Sequence, residues 1–311
     1  MPPSIEIIAA ESLGVRGLCC RVALAERTVV IDPGLALGYR RGGRLPHPVQ
    51  VAVGRRVRQH MLQALETATD VVVSHFHGDH VPLMAANPYQ LALRDLPPHL
   101  ASLHCWSKAE DPAGPMRQRY QDLKQFFGAN LRVAEGLQDG PLSFSATVPH
   151  GKPGGPGGTV MMTRIETPQG VFVHAADIQL LNGEAVDQIL DWRPDIVLTG
   201  GPPLYLEALG PDDRQIAWEN GLRLARAVDT VILDHHLLRS RQGLDWLADL
   251  GAAAGREIRC AADFMRRPQR LLEADREDWY RRMPVAETWH KDYAGGLVDP
   301  EVYARASGMD G

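Results

Sequence analysis

The sequence predicts an α/β protein in which a layer of helices lies on each side of stacked sheets. Three observations carry that expectation. Strand-like runs fill the first 35 residues, the middle is rich in strands, and after residue 180 helices and strands alternate. In order, "SIEIIAA", "GLCCRVALA" and "RTVVIDPG" read as strands, and Pro33-Gly34 ends the third in a turn. Pro- and Gly-rich text runs to about Pro48. "VQVAVGRRVRQHMLQALETA" then has helical periodicity, and Asp70 leads into a valine strand. "SLHCWS" is a further strand, and "GPMRQRYQDLKQFFG" is a helix that Gly128 stops. "LRVAEG", "LSFSATVPH", "TVMMTRIETPQG" and "VFVHAADIQ" supply the middle strands. Helix "GEAVDQILDWRP" feeds strand "DIVLTG", and helix "DDRQIAWENGLRLARAV" feeds strand "DTVILDHH". "QRLLEADREDWYRRM" reads as a helix. It belongs to an extension, residues 265–311, expected to pack on a single domain spanning 1–311. "GKPGGPGG", Gly151 to Gly158, lies between two strands just after a histidine, so it reads as a flexible active-site loop.

Composition excludes several function classes. Hydrophobic residues make up 44% and charged residues 23%, as in ordinary soluble domains. The net charge of -5 supplies no basic field, so long nucleic acid is disfavoured as a partner. Cys19, Cys20, Cys105 and Cys260 have no CxxC spacing and read as free thiols in a reducing cytosol. The N-terminal text lacks a basic region followed by an apolar one, so no signal peptide is expected. No apolar run approaches the roughly 20 residues that span a bilayer. The expectation is a soluble, cytoplasmic protein with no membrane partner; a homo-oligomer stays open.

The chemistry concentrates in "VVVSHFHGDH", Val71 to His80. His75, His77, Asp79 and His80 follow a buried-looking strand in a turn that contains Gly78. Two histidines at i and i+2 cannot share a helix face, but in a loop at a strand end they can converge on one point. Asp79 and His80 are then placed to serve a second point nearby. Neutral imidazole and carboxylate are the ligands that Zn²⁺, Mn²⁺ or Fe²⁺ accept.

"HFHGDH" resembles the HxHxDH signature of the metallo-β-lactamase superfamily. That superfamily expects a later strand-end histidine, then an aspartate, then a final histidine. "SATVPHG" offers His150, "FVHAADIQ" offers Asp177, and "VILDHH" offers His235 or His236. The resemblance spans roughly Ile5 to His236 and implies a four-layer αββα sandwich. It implies two divalent cations, zinc first, with manganese or iron as alternates. His75, His77 and His150 would hold one; Asp79, His80 and the final histidine would hold the other; Asp177 would bridge them. His235 is the expected last ligand, with His236 facing the opposite way. "VVIDPG" matches a strand ending in Asp-x-Gly, which would make Asp32 a hydrogen-bonding support for a ligand histidine. "ESLGVRG", "GPPLYL" and "LDHHLLR" resemble a more particular, largely archaeal branch of these hydrolases, which brings no known substrate.

The ligand set implies a hydrolase. Two cations lower the pKa of a shared water, which attacks a carbonyl carbon or phosphorus. Asp79 is the candidate catalytic residue, orienting the nucleophile or passing a proton. Asp79 within HxHxDH favours such a centre over zinc β-lactamases, and the chain has no room for a flavodoxin-like domain. Lys152 is a candidate for an anionic substrate, with a solvated lysine as the plainer reading. Tyr205 either donates to a substrate oxygen or packs, and His174 is read as a core histidine. The leading expectation is a phosphodiester or related anionic ester of small or medium size. Carboxylic ester, lactone or thioester hydrolysis is the alternative on the same centre. A non-enzymatic metal sensor or scaffold is the third.

Overall fold

The computed structural model describes residues 4–155 and 157–309 of the 311-residue chain. Its centre is a pair of six-stranded sheets. The first runs, in spatial order, β1 (Ile5–Ile7), β2 (Cys20–Ala23), β3 (Thr28–Ile31), β4 (Asp70–Val73), β5 (His104–Ser107) and β6 (Leu131–Val133). The second contains β7 (Gln138–Asp139), β8 (Leu142–Pro149), β9 (Thr159–Thr167), β10 (Gly170–Ala175), β11 (Ile196–Thr199) and β12 (Thr230–Leu233). Each sheet is antiparallel at one end and parallel at the other: β3 to β6 are parallel, as are β10 to β12. Parallel neighbours need long crossovers. α1 (Pro48–Glu66) joins β3 to β4, and α2 (Gly114–Phe127) joins β5 to β6. α3 (Gly183–Asp191) and α4 (Pro211–Ala227) do the same for β10, β11 and β12.

Side-chain alternation along the strands sorts the layers. Val71 and Val73 of β4 pack with Met61 and Leu65 of α1 and with Leu123 and Phe127 of α2. Val72, between them, joins Trp106, Phe144 and Phe172 in the other core cluster. β3 repeats the pattern, with Val30 on the helix side and Val29 and Ile31 between the sheets. Ile189, Leu224 and Leu250 bring α3, α4 and α5 (Gln242–Ala254) into the same cluster as the second sheet. The result is the αββα sandwich. Each β4 valine contributes about 1.5–3 kcal/mol by burial, so the strand that leads into the histidine turn is firmly held.

The end of the chain departs from expectation. After α6 (Ala261–Phe264), the helix expected over residues 269–283 forms only as α7 (Arg276–Arg282), and residues 269–275 turn instead. Leu271, Leu272 and Glu273 are drawn inward, and Glu273 is 1% exposed. Its carboxylate meets Arg16 at 2.5 Å and Arg41 at 3.3 Å. A buried carboxylate without those cations would be strongly destabilising, so the pairing overrides local helix propensity. α8 (Trp289–Ala294) and α9 (Glu301–Ala306) follow, and Leu272, Trp279, Met283, Tyr303 and Met309 cover Val49 and Val53 of α1. Arg276, 1% exposed, donates to the carbonyls of Gly38 at 2.7 Å and Arg44 at 3.1 Å and to Gln50 Oε1 at 3.0 Å.

His47 caps α1 and yields a pH prediction. Its Nδ1 accepts from Val49 N at 3.2 Å, so Nε2 carries the proton and donates to Met283 O at 2.9 Å. Burial pushes its pKa down from 6.5 to about 4. The unfolded chain therefore binds this proton more tightly. Stability from this group is present above the unfolded value and drains as pH falls toward 4. Between pH 7 and pH 5 the loss is about 2 kcal/mol. In urea titrations at both pH values, His47→Asn, which keeps an N-cap acceptor, is expected to show a smaller pH dependence than the wild type. An identical dependence would refute this role.

Candidate metal centre

Every sequence-predicted ligand lies just beyond the carboxyl end of a strand, where open α/β sheets place their sites. β4 delivers Ser74 and the histidine turn. His80 N and Val81 N both donate to His77 O, at 3.0 and 3.2 Å, which closes the turn. Gly34 of "DPG" lies directly against it: a Cβ there would sit 2.2 Å from Val81 N, so no larger residue fits. Asp32, in left-handed backbone at φ 49°, is 0% exposed. It accepts from Ser74 N at 2.7 Å and Ser74 Oγ at 2.6 Å and faces His80 Nδ1 at 2.9 Å. The hydroxyl proton of Ser74 is thus committed, and Ser74 Oγ accepts from His75 Nδ1 at 2.9 Å. Asp32 thereby fixes both rings, directly or through Ser74, with Nε2 turned to the centre.

Asp177 is the hub, 1% exposed and at φ 57°. Its two oxygens serve different histidines. Oδ2 lies 3.2 Å from His75 Nε2, 3.7 Å from His77 Nδ1 and 2.9 Å from His150 Nε2. Oδ1 lies 3.0 Å from His80 Nε2 and 3.2 Å from His235 Nε2. His80 Nε2 and His235 Nε2 are 3.4 Å apart, and Asp79 Oδ2 is 3.5 Å from His235 Nε2. A tetrahedral ion with bonds of about 2.0–2.1 Å separates its ligand atoms by about 3.3 Å, so both sets have the spacing of a metal's donors. His75 Nε2 and Asp177 Oδ1 are buried without an aligned hydrogen bond, as ligand atoms would be. These residues could hold metal ions.

The electrostatics follow from burial and crowding. Burial pushes His75 down to about 3, leaving it neutral. Burial works against a charged His80, but the carboxylates of Asp177 and Asp32 win and raise it well above its ordinary value. Asp177 is likewise lowered, against burial, by His80, His235, His236 and His75. Metal binding at such a site releases protons.

His236 does not face the opposite way. The left-handed φ of 41° at His235 bends the chain so that both rings turn inward. His236 Nε2 lies 3.5 Å from Asp177 Oδ2, and the ring packs 5.0 Å from His150. His235 approaches Oδ1 and Asp79, whereas His236 approaches the oxygen shared with His75 and His150. His174 is 0% exposed and bonds Leu18 O at 2.8 Å, away from the ligand atoms. Lys152 pairs with Asp213 at 2.6 Å. Tyr205 OH accepts from Arg239 Nη1 at 3.3 Å.

Sequence reasoning missed Arg239 and Glu11. Arg239 donates through Nη2 to Asp79 Oδ2 at 3.2 Å and to His235 Nε2 at 2.7 Å, and through Nε to Glu11 Oε1 at 3.0 Å. An arginine four residues after a candidate ligand, in "LDHHLLR", was the available signal. "ESLGVRG" supplies Glu11 and Ser12, and Ser12 Oγ donates to Asp234 Oδ2 beneath His235.

A cleft of about 520 Å³ opens at His77 and His150. Its lining includes Leu181, Pro203, Leu206 and Leu209, with Lys152 and Gly157 from the glycine-rich loop. Pro156 of that loop lies outside the described residues. A Cβ on Gly157 would fall 2.3 Å from His150 Nδ1, so the loop approaches His150 only as glycine.

The αββα sandwich, with HFHGDH at a strand end and His150, Asp177 and His235 converging on it, resembles the metallo-β-lactamase superfamily in fold and in the placing of its motif. Over 300 residues, 96% of this chain and 99% of the other, it is 45% identical to the UPF0282 protein of Methanosarcina mazei. It is 30% identical to that of Thermococcus gammatolerans over 290 residues, 88% of this chain and 94% of the other. The chain belongs to the UPF0282 family. No family model matches it. Among solved structures, a metal-dependent hydrolase of the beta-lactamase superfamily aligns at 14% identity with a TM-score of 0.49, covering 82% of this chain and 94% of that one. Among the described residues no helix is long and apolar enough to cross a membrane.

Proposed function

We propose that the protein is a metal-dependent hydrolase with a two-cation centre. The observation that carries this reading is the division of Asp177, with Oδ2 facing His75, His77 and His150 and Oδ1 facing His80 and His235. Divalent cations held by these residues would acidify a water and polarise the substrate oxygen. The protein's own part is to place that chemistry. Asp79, whose carboxylate stays ionised, would orient a water's proton at the centre. Asp32 and Ser74 hold two rings in the ligating tautomer.

The cleft favours a carboxylic ester, thioester or lactone with an apolar group. Its walls are mainly apolar, and its lysine is already neutralised by Asp213. A phosphodiester remains the second reading, because Arg16 and Arg119 line a smaller cleft of about 240 Å³ on the Asp79 side.

The test is hydrolysis by protein loaded separately with Zn²⁺ and Mn²⁺, on chromogenic acyl esters, thioesters and a phosphodiester. Turnover of the acyl substrates that disappears in Asp177→Ala and survives Lys152→Ala is expected. Phosphodiester turnover that needs Arg119 would favour the second reading. Metal-loaded protein inert on every ester would reject the hydrolase reading in favour of a sensor.

A further inference from the structure

Arg239 brings a permanent positive charge into this centre. Its side chain is nearly buried, 8% exposed for the residue as a whole, and its guanidinium spans two of the donors assigned to the second metal. Nη2 lies 2.7 Å from His235 Nε2 and 3.2 Å from Asp79 Oδ2. Nε is anchored on Glu11 Oε1 at 3.0 Å, and Nη1 reaches Tyr205 OH at 3.3 Å. No comparable cation touches His75, His77 or His150 among the described residues. The two half-sites therefore differ in kind. One offers three imidazoles and a carboxylate oxygen. The other offers similar donors with a guanidinium resting on two of them.

We propose that Arg239 acts as a resident competitor of the second metal, so that the centre fills stepwise. The His75–His77–His150 half loads first and tightly. The Asp79–His80–His235 half loads only when Arg239 yields His235 and Asp79. Two effects oppose the second ion. The guanidinium engages its donors, and a fixed positive charge a few ångströms away repels a divalent cation in a poorly screened interior. The same contact gives Asp79 a positive partner while the second ion is absent. The Glu11 carboxylate holds Arg239 in place, and Arg16 approaches Glu11 at 3.9 Å from the other side. This inference rests on the metal-centre reading above.

The test is metal stoichiometry, read by elemental analysis and by competition with a chromophoric chelator across buffered free Zn²⁺. Wild-type protein is expected to hold one ion per chain at low free zinc. Its second ion should require at least about a hundredfold more, the order a nearby buried charge can impose. Arg239→Met alone would strand the Glu11 carboxylate, so the main variant is Glu11→Gln with Arg239→Met, its fold checked by circular dichroism. That variant should take up both ions within about a tenfold range of free zinc. Arg239→Lys keeps a charge for Glu11 but lacks the fork that spans His235 and Asp79. It should ease the second step in the same direction, and it serves if the double variant does not fold. Two ions binding the wild type at the same free zinc would overturn the proposal and leave the metal reading standing. So would an unchanged second step in folded variants. Wild-type protein that retains no ion would remove the metal reading and this inference together.

Discussion

Asp177→Ala is expected to strip the protein of stably bound metal and to lower any metal-dependent turnover by more than about a hundredfold, since loss of even an outer hydrogen-bonding partner costs about 10–100-fold. The reason is geometric. Asp177 lies within 3.7 Å of nitrogens from His75, His77, His80, His150, His235 and His236. Removing it deletes a donor from both halves at once and leaves clustered imidazoles without their shared counter-charge. Equilibrium dialysis against Zn²⁺, with the fold checked by circular dichroism, separates loss of metal from loss of structure. Retention of two ions per chain by Asp177→Ala would disprove the bridging assignment.

Asp32→Ala is expected to damage stability and site together. Asp32 is wholly buried and is the partner of Ser74 N, Ser74 Oγ and His80 Nδ1. Its removal strands two buried donors of Ser74 and a histidine that burial would otherwise leave neutral. Breaking such a buried pair costs about 3–5 kcal/mol, and metal affinity should fall about 10–100-fold because His80 and His75 lose their fixed tautomers. Asp32→Asn keeps the volume and one acceptor, so it should lose less stability than Asp32→Ala while still impairing metal binding. Urea denaturation and chelator competition on both variants test this. Full metal affinity in Asp32→Ala would exclude the supporting role.

Much of this centre was legible because its ligands sit at strand ends, and a strand announces itself locally. The valines before Ser74, the alternation before His150 and the apolar run before Asp234 each mark where a side chain emerges at the sheet edge. What stayed hidden depends on long-range pairing or on one dihedral angle. The inward turn of His236 follows from φ at His235, which no periodicity encodes. Arg239 and Glu11 meet across 228 residues, and neither has a local signature as part of a site. The missing helical turns at 269–275 have the same origin, since Glu273 answers to Arg16 and Arg41 rather than to its neighbours. The apolar cleft likewise combines loops separated in sequence, so substrate class could not be read from any one stretch.

The covering of α1 by the end of the chain has a consequence for how the protein is made. Val49 and Val53 are among the earlier residues to leave the ribosome, yet Leu272, Trp279, Met283, Tyr303 and Met309, which shelter them, are among the later ones. Arg16, Arg41 and Arg56 wait just as long for Glu273 and Glu301. At about 5–20 residues per second, translation leaves that interval on the order of tens of seconds. Throughout it the nascent first layer carries an uncovered apolar helix face and unmatched arginines. A layer made early is thus completed only by residues made far later, and holdase chaperones have their clearest target on the outer face of α1 until synthesis has passed Met309.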